Sequence, residues 1–330
     1  MTIVVPKFRT AVEPLRMQGL INHQQGVMMI GSCFSDNIGS RLQLACFDVE
    51  VNPFGTLYNP ASIVCAIDDI INQRVFEQRD LFQLAGDNRW HSFSHHSSFS
   101  SVNASMMLDK INEQIKNSYA MLQGASTLIV TFGTAWVYRY KNTNEVVANC
   151  HKIPANQFNR QLMSVDEIVE KWATLIGNLR LINSDLKLVF TVSPIRHLRD
   201  GAHENQISKA TLHLAIDKLQ KMYEGIIYFP AYEIMNDDLR DYRFYASDMT
   251  HPSEVAVDYI YDIFAQSFYS VDTMKLAGEC ERLSRRLLHR HMGDDQEAIN
   301  RFEQSTQSLK KQMLQQYPFL QRAIEKITIK

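Results

Sequence analysis

The stretch VMMIGSCFSDNIGSRLQLACF, residues 27–47, carries an apolar run, then a turn with Ser32 near its apex, then a helix-like run from Asn37. This order predicts a strand, a tight turn and a helix. The turn lifts the Ser32 hydroxyl out of the sheet towards a helix N-terminus, where unpaired N–H groups favour a developing oxyanion. Such a place suits a hydrolase nucleophile, although serine is also a common helix N-cap.

A second motif supplies partners for a nucleophilic serine. In Ser-Asp-Met-Thr-His-Pro, residues 247–252, Asp248 precedes His251 by three positions, just before an apolar helix pattern. A carboxylate at this spacing can orient an imidazole whose other nitrogen faces a hydroxyl. We therefore predict that Ser32, Asp248 and His251 converge.

Short apolar segments alternate with helix-like segments along the chain. The predicted strands are residues 27–30, 47–51, 127–131, 186–192 and 226–229, and helices are predicted at 37–47, 60–72, 106–121, 165–181 and 209–223. This alternation predicts an α/β fold with a parallel sheet covered on both faces. Ligands bind such sheets beyond the C-terminal strand ends, where Ser32 and the polar turns 52–60 and 133–136 are expected.

Composition excludes several classes of protein. The 330 residues are 45% hydrophobic and 21% charged, with a net charge of −2. We therefore expect no nucleic-acid partner and no membrane span. The N-terminal run, residues 1–7, is too short for a signal peptide, and five widely spaced cysteines favour reduced thiols and a cytoplasmic location.

Two segments stand apart from the alternation. Residues 82–104, rich in Ser and His, are expected to form an excursion too polar to be core. From residue 274 onwards the pattern is long, charged and helical. We predict a main domain over residues 1–270 and a helical extension over 271–330. The extension is expected to pack on its own domain, with self-association as the alternative.

Six motifs in order resemble the GSCFA-domain family over about residues 20–265. They are GSCFSDNIG (31–39), NPFGTLYNP (52–60), TFGTAWVY (131–138), NCHK (149–152), SPIRHLRDG (193–201) and YFPAYEIMNDDLRDYRFYASDMTHPS (228–253). Ser35 stands where the family motif has Ala. The resemblance implies an SGNH or GDSL-like hydrolase, with a flavodoxin-like three-layer α/β/α fold whose members are esterases, lipases and carbohydrate O-deacetylases.

The resemblance also implies site residues. Ser32 matches the nucleophile, and Asp248 and His251 match the rest of the triad. The backbone N–H groups of Ser32 and Gly55 are the oxyanion donors expected from the match. The oxyanion Asn has no match, because Ala135 stands in its place. Losing one oxyanion donor can cost about 10²–10³ in rate, so another group is expected to replace the missing Asn. The candidates are the Thr134 hydroxyl, the Ala135 N–H, Asn149, His151 and His96.

Other residues have two interpretations each. Cys33 is a thiol nucleophile or an inward-facing small hydrophobe, and the second is expected. Arg196 and His197 belong to a salt-bridged loop or to an anion or sugar pocket. Trp90, Trp136 and Tyr138 present faces to a substrate or lie in the core. The histidines lack zinc spacing, so neither a metal nor a cofactor is expected.

The sequence thus predicts a serine-dependent acyl-ester hydrolase acting on a small-molecule or carbohydrate ester. One alternative is an O-acyltransferase that uses the same acyl-serine. The other, prompted by Ala135, is a carbohydrate-binding or scaffold protein with impaired catalysis.

Overall fold

The computed structural model describes residues 10–290 and 295–328, and the N-terminal run 1–7 lies outside them. The strands are β1 Gly26–Gly31, β2 Val49–Val51, β3 Phe82–Gln83, β4 Trp90–His91, β5 Ala125–Phe132, β6 Trp136–Tyr140, β7 Val146–Val147, β8 Phe158–Leu162, β9 Lys187–Val192 and β10 Ile226–Tyr228. The α-helices are α1 Cys33–Leu44, α2 Pro60–Ile71, α3 Ala104–Gly124, α4 Val165–Ile182, α5 Gly201–Met222, α6 Ala231–Glu233, α7 Glu254–Phe268, α8 Val271–Leu287, α9 Gln296–Gln316 and α10 Gln321–Thr328.

The central sheet has five parallel strands in the order β10-β9-β5-β1-β2. Read from the other edge, the order is β2-β1-β5-β9-β10. When these five strands are numbered by their order along the chain, this is 2-1-3-4-5. This is the flavodoxin-like order of a doubly wound sheet. The predicted fold class is confirmed, and all five predicted strands are present with ends shifted by at most two residues.

Apolar side chains alternate between the two faces of the sheet, as successive residues of a strand must. Met28 and Ile30 of β1 belong to one core cluster with residues of α2, α3, α4 and α5. Val27 and Met29 belong to the opposite cluster, with residues of α1 and α7. Helices on both faces explain why these strands are continuously apolar.

The segment between β5 and α4 forms a second, antiparallel sheet of order β7-β6-β8. This sheet was not predicted. The excursion over 82–104 also differs from expectation: His91, His95 and Phe99 are buried. His95 stacks on Phe54 with ring centroids 4.5 Å apart, so the face of its imidazole ring packs as part of the hydrophobic core.

Helices α8, α9 and α10 enclose a third apolar cluster that includes Cys46, next to α1. Lys326 of α10 bonds Asp48 at 2.7 Å, and Ser284 of α8 donates to the Leu44 carbonyl at 2.6 Å. The C-terminal helices therefore pack against the first α/β unit. The domain boundary at 270 and self-association stay predictions. Within the described ranges, no helix is both long and apolar enough to span a membrane.

Gly31 ends β1 with a positive φ of 144°, and a Cβ added there would lie 2.2 Å from the Thr131 carbonyl oxygen of β5. We expect Gly31→Ala to lower the free energy of unfolding by about 2–4 kcal/mol, because strain and a backbone clash combine. Gly177→Ala is the control, since its added Cβ meets nothing and an exposed helical Ala gains about 0.5–1 kcal/mol. Urea titration followed by circular dichroism measures both. Equal changes in the free energy of unfolding for the two variants would contradict the strain expected at Gly31.

Candidate active site

The turn between β1 and α1 is held by Ser32 itself. Ser32 is the N-cap of α1, its Oγ accepts a hydrogen bond from the Phe34 N–H at 3.3 Å, and its own N–H donates to the Thr131 carbonyl. The side chain is buried, at 1% exposure. The hydroxyl is therefore folded back over the helix N-terminus, as an N-cap requires.

Cys33, the first residue of α1, has its side chain in a different direction. Its Sγ lies 3.7 Å from Nε2 of His251. His251 Nδ1 in turn lies 2.6 Å from Asp248 Oδ2. Asp248, His251 and Cys33 thus form a continuous line of hydrogen-bonding groups.

This arrangement differs from the expected one. In the described part of the chain, no hydrogen bond joins the Ser32 hydroxyl to His251, which contacts the thiol of Cys33 instead. The physical reason is helix geometry: the N-cap side chain bonds back to the first turn, while the next side chain projects away from it. The N-cap preference of serine was the signal in the sequence that could have separated the two positions.

The loop that carries Asp248 and His251 is fixed by backbone bonds. Asp248 Oδ1 accepts the N–H groups of Thr250 and His251 at 2.9 and 3.0 Å. The Ala246 N–H donates to the His251 carbonyl, and Met249 takes a left-handed φ of 58°. The bonds from His251 and Thr250 hold the pKa of Asp248 well below its usual range, so it is ionised at neutral pH.

The Cys33 thiol is neutral at physiological pH. Burial, followed by the nearby Asp36 carboxylate, raises its pKa to about 11, against the opposing effects of Lys209 and of the Cys33 and Phe34 N–H groups. A thiol of this kind is not a preformed thiolate. It needs a base beside it, and His251 is the base within reach.

Cys33 and His251 line a cavity of about 460 Å³ at the C-terminal edge of the sheet. Six residues expected from the sequence line it as well: His96, Thr134, Trp136, Asn149, Arg196 and His197. His151 does not; its Nε2 bonds the Ser92 carbonyl at 2.7 Å inside the excursion. Trp90 packs at the core rather than at the cavity, whereas Tyr138 lines the cavity.

The backbone donors expected for an oxyanion already have partners within the protein. The Gly55 N–H donates to the Asn52 carbonyl at 2.7 Å, and the Ser32 N–H donates to the Thr131 carbonyl at 3.2 Å. The Thr134 hydroxyl lies 3.0 Å from Ser208 Oγ, within hydrogen-bond distance. The Ala135 N–H donates to Ser208 Oγ at 2.8 Å. The space next to Gly55 is filled by His96, whose Cβ would lie 2.3 Å from a Cβ added there.

Lys209 of α5 is a buried residue that sequence reasoning missed. Its ammonium donates to the carbonyls of Gly133 and Ser193, both at 2.7 Å, and so ties together the chain just beyond β5 and β9. Burial lowers its pKa to about 7. The available signal was its position on the buried face of α5, in register with Leu212 and Ile216.

The described residues contain no group of three or more His, Cys, Asp or Glu side chains placed to hold a metal ion. All five cysteines are free thiols.

Comparison with known proteins gives a family match. The model of the GSCFA family matches residues 26–264. None of the curated proteins compared with the sequence matches it.

Similar solved structures include a carbohydrate esterase family 2 enzyme with a carbohydrate-binding domain from Corynascus thermopiles (Myceliophthora fergusii), at 10% identity and TM-score 0.38, covering 83% of this chain and 69% of that one. Another is a family 3 carbohydrate esterase from Clostridium thermocellum, at 12% identity and TM-score 0.33, with coverages of 77% and 99%. A third is the acetyl xylan esterase Est2A from Butyrivibrio proteoclasticus, at 11% identity and TM-score 0.35, with coverages of 73% and 65%.

The buried Lys209 generates a pH-dependent prediction. Because its pKa falls from 10.5 to about 7 on folding, the unfolded chain binds more protons between these values, and stability from this group rises with pH by at most about 1.4 kcal/mol per pH unit. The same stability is lost as pH falls through 7. The destabilisation caused by Lys209→Met should therefore grow from pH 7 to 10, as measured by urea unfolding at several pH values.

The matched control is Lys218→Met on the same helix. Lys218 is half exposed and pairs with the exposed Asp166 at 2.6 Å, so its removal should change stability by less than about 1 kcal/mol throughout this range. A destabilisation by Lys209→Met that stays constant with pH would contradict the lowered pKa.

Proposed function

The chain belongs to the GSCFA family, and we propose that it is an acyl-ester hydrolase with the Cys33 thiol as nucleophile. His251 is the general base, and Asp248 orients the imidazole. The observation that carries this proposal is the line of 2.6 and 3.7 Å contacts that leads from Asp248 through His251 to Cys33 at the wall of the cavity. Serine-type triads use the same order of acid, base and nucleophile.

The proposed reaction proceeds in two stages. First, His251 Nε2 takes the thiol proton while Sγ attacks the ester carbonyl carbon. The resulting tetrahedral oxyanion collapses, the carbon–oxygen bond to the alcohol breaks, and His251 returns the proton to the leaving alcohol. Second, His251 takes a proton from a water that attacks the thioester carbonyl carbon. The carbon–sulfur bond then breaks, His251 returns the proton to Sγ, the carboxylic acid leaves, and the Cys33 thiol is regenerated.

Asp248 keeps this base in the productive tautomer. Its Oδ2 accepts the proton on Nδ1, which leaves Nε2 as the acceptor facing Cys33. An ionised Asp248 also stabilises the imidazolium formed when the thiol proton is transferred. The raised pKa of Cys33 makes this transfer part of the reaction, because little thiolate is present beforehand.

We assign the oxyanion donor to His96. His96 lines the cavity with Cys33, beside Gly55, whose own N–H is bonded internally. The Ser98 N–H donates to His96 Nδ1 at 3.3 Å. In a neutral imidazole whose Nδ1 accepts a hydrogen bond, Nε2 carries the hydrogen and is the donor left for a ligand.

The cavity wall favours an ester of a polar alcohol such as a carbohydrate. Trp136 and Tyr138 supply aromatic surface, and Asn149 supplies an amide. Aromatic surface combined with polar side chains that fix the orientation of a ligand is typical of small-molecule sites. Acyl transfer to a second alcohol is the alternative with the same first stage, and a binding or scaffold role is the alternative without chemistry.

The nucleophile is tested by alanine variants assayed with p-nitrophenyl acetate. Cys33→Ala should lower kcat/KM by about 10³-fold or more, because the attacking atom is removed. Ser32→Ala should keep the rate within about tenfold and cost about 1 kcal/mol of stability through loss of the cap. Cys150→Ala is the matched control, since this second thiol lines the same cavity.

Mass spectrometry of protein quenched during turnover should locate the acyl group on Cys33. Inactive Ser32→Ala with active Cys33→Ala would return the nucleophile to Ser32. A wild-type protein that hydrolyses no ester and takes up no acyl group favours the binding or scaffold role, and alcohol-dependent ester formation favours the transferase.

The oxyanion assignment is tested by His96→Ala. We expect kcat to fall by about 10²–10³ with KM changed by less than threefold, since the bond strengthens only as charge develops. Asn149→Ala is the control and should act mainly on KM. Steady-state kinetics separates the two, and a His96 effect confined to KM would contradict the assignment.

A further inference from the structure

We propose that the side chains of Asn52 and Asp36 position the Cys33 thiol for its attack on the ester. This inference rests on the proposed function, because it takes Cys33 as the nucleophile. Asn52 directly follows β2, and Asp36 lies in the first turn of α1, 16 positions earlier in the chain. Neither of these two described side chains lines the cavity, so both are positioning residues that act through other groups.

The Asn52 amide joins the end of β1 to the start of α1. Its Oδ1 accepts a hydrogen bond from the Gly31 N–H at 2.8 Å, and its Nδ2 donates to Asp36 Oδ1 at 2.7 Å. An amide suits this place because one end accepts and the other donates. Cys33 lies between Gly31 and Asp36 in the chain. One buried side chain therefore holds the turn on both sides of the nucleophile.

The backbone of Asn52 is itself fixed to the sheet. Its N–H donates to the Met29 carbonyl of β1 at 2.8 Å, and its φ is 47°, in the left-handed region. Asparagine adopts this region more readily than most residues with a side chain, because its short polar side chain can bond locally. The amide thus starts from a fixed backbone position, and its two hydrogen bonds fix the turn relative to the sheet.

Asp36 also reaches the loop that holds His96. Its Oδ2 accepts a hydrogen bond from the Thr56 hydroxyl at 3.3 Å. Two residues before Thr56, the Phe54 carbonyl accepts the His96 N–H at 2.9 Å. This loop is therefore bonded to the turn of the nucleophile on one side and to the proposed oxyanion donor on the other. Loss of the pair should misplace both groups.

The charge of Asp36 has a second effect. After burial, its carboxylate is the next cause that raises the pKa of the Cys33 thiol to about 11. Burial raises the pKa of Asp36 as well, and the hydrogen bonds from Asn52 and Thr56 act against that shift by stabilising the carboxylate. The pair thus holds a charged group at a fixed place near the thiol.

The first test removes the amide side chain with Asn52→Gly. Glycine adopts a left-handed φ without strain, so the backbone can keep its course while both side-chain bonds are lost. With p-nitrophenyl acetate, we expect kcat to fall by about tenfold or more and KM to change by less than about threefold, because alignment rather than binding is lost. An unchanged kcat would overturn the positioning and leave the hydrolase intact.

Asn183→Asp is the matched control. The Asn183 Nδ2 is also a structural donor, to the Leu122 and Ala125 carbonyls at 3.0 and 2.8 Å, but it lies where β5 begins, at the edge of the sheet opposite the cavity. This variant should lose stability in urea and keep kcat within about twofold. An equal loss of kcat in Asn183→Asp and Asn52→Gly would assign Asn52 to general stability and overturn the proposal.

The second test reverses the donor and the acceptor of the pair. In Asn52→Asp, two carboxylates face each other at hydrogen-bond distance, so kcat should fall as it does in Asn52→Gly. Adding Asp36→Asn restores the bond, because the new amide at position 36 donates to the new carboxylate at position 52. The double variant should recover about fivefold or more in kcat over Asn52→Asp. No recovery would show that this contact does not position the thiol.

Alkylation of Cys33 by iodoacetamide tests the positioning without an ester. If the wild-type protein hydrolyses no ester, the proposed function fails and this measurement decides the positioning alone. Followed by mass spectrometry against pH, the alkylation profile of Cys33 should shift to lower pH in Asn52→Gly, since a displaced thiol loses the burial that raises its pKa. The profile should not move in Asn183→Asp. Identical profiles in the wild type and Asn52→Gly would overturn the proposal.

Discussion

The close approach of β1 to β5 at Gly31 is the constraint on which the site depends. No side chain fits between Gly31 and the Thr131 carbonyl, and the positive φ at Gly31 turns the chain directly into α1. Ser32 must then cap the helix, because its N–H and hydroxyl are both used in the turn. Cys33 is consequently the first side chain free to reach the cavity.

Burial sets the chemistry that this thiol can perform. Cys33 is buried where it contacts His251, and this burial raises the pKa of its thiol to about 11. The thiol therefore lies beside a base, but little of it is ionised at neutral pH. The ammonium of Lys209 acts against that shift, as the Asp36 carboxylate acts with it. The pKa of the thiol is therefore set by burial and by two opposing charges, and in the proposed mechanism the attack depends on proton transfer to His251.

The sheet and the Asp248–His251 loop could be predicted from the sequence because both follow local rules. Continuous apolar strands between amphipathic helices specify the parallel sheet, and an Asp-x-x-His loop brings its two side chains together within four residues. Ser32 and Cys33 are separated less clearly by the sequence, because they are adjacent and only the N-cap preference of serine distinguishes the helix cap from the first outward side chain. The hydrogen bonds of Lys209 and the partner of the Ala135 N–H depend on tertiary contacts between distant segments.

The line of contacts from Asp248 through His251 to Cys33 and the wall of the cavity come from different parts of the fold. Cys33 and His251 sit at the edge of the parallel sheet, whereas Trp136 and Arg160 belong to the antiparallel sheet inserted between β5 and α4. The two parts meet at residues 133–135, where the chain leaves β5, and there Lys209 and Ser208 of α5 hold the backbone. A substitution on the antiparallel sheet can thus alter the wall of the cavity without moving Cys33 away from His251, whereas a substitution in this stretch of α5 disturbs both at once.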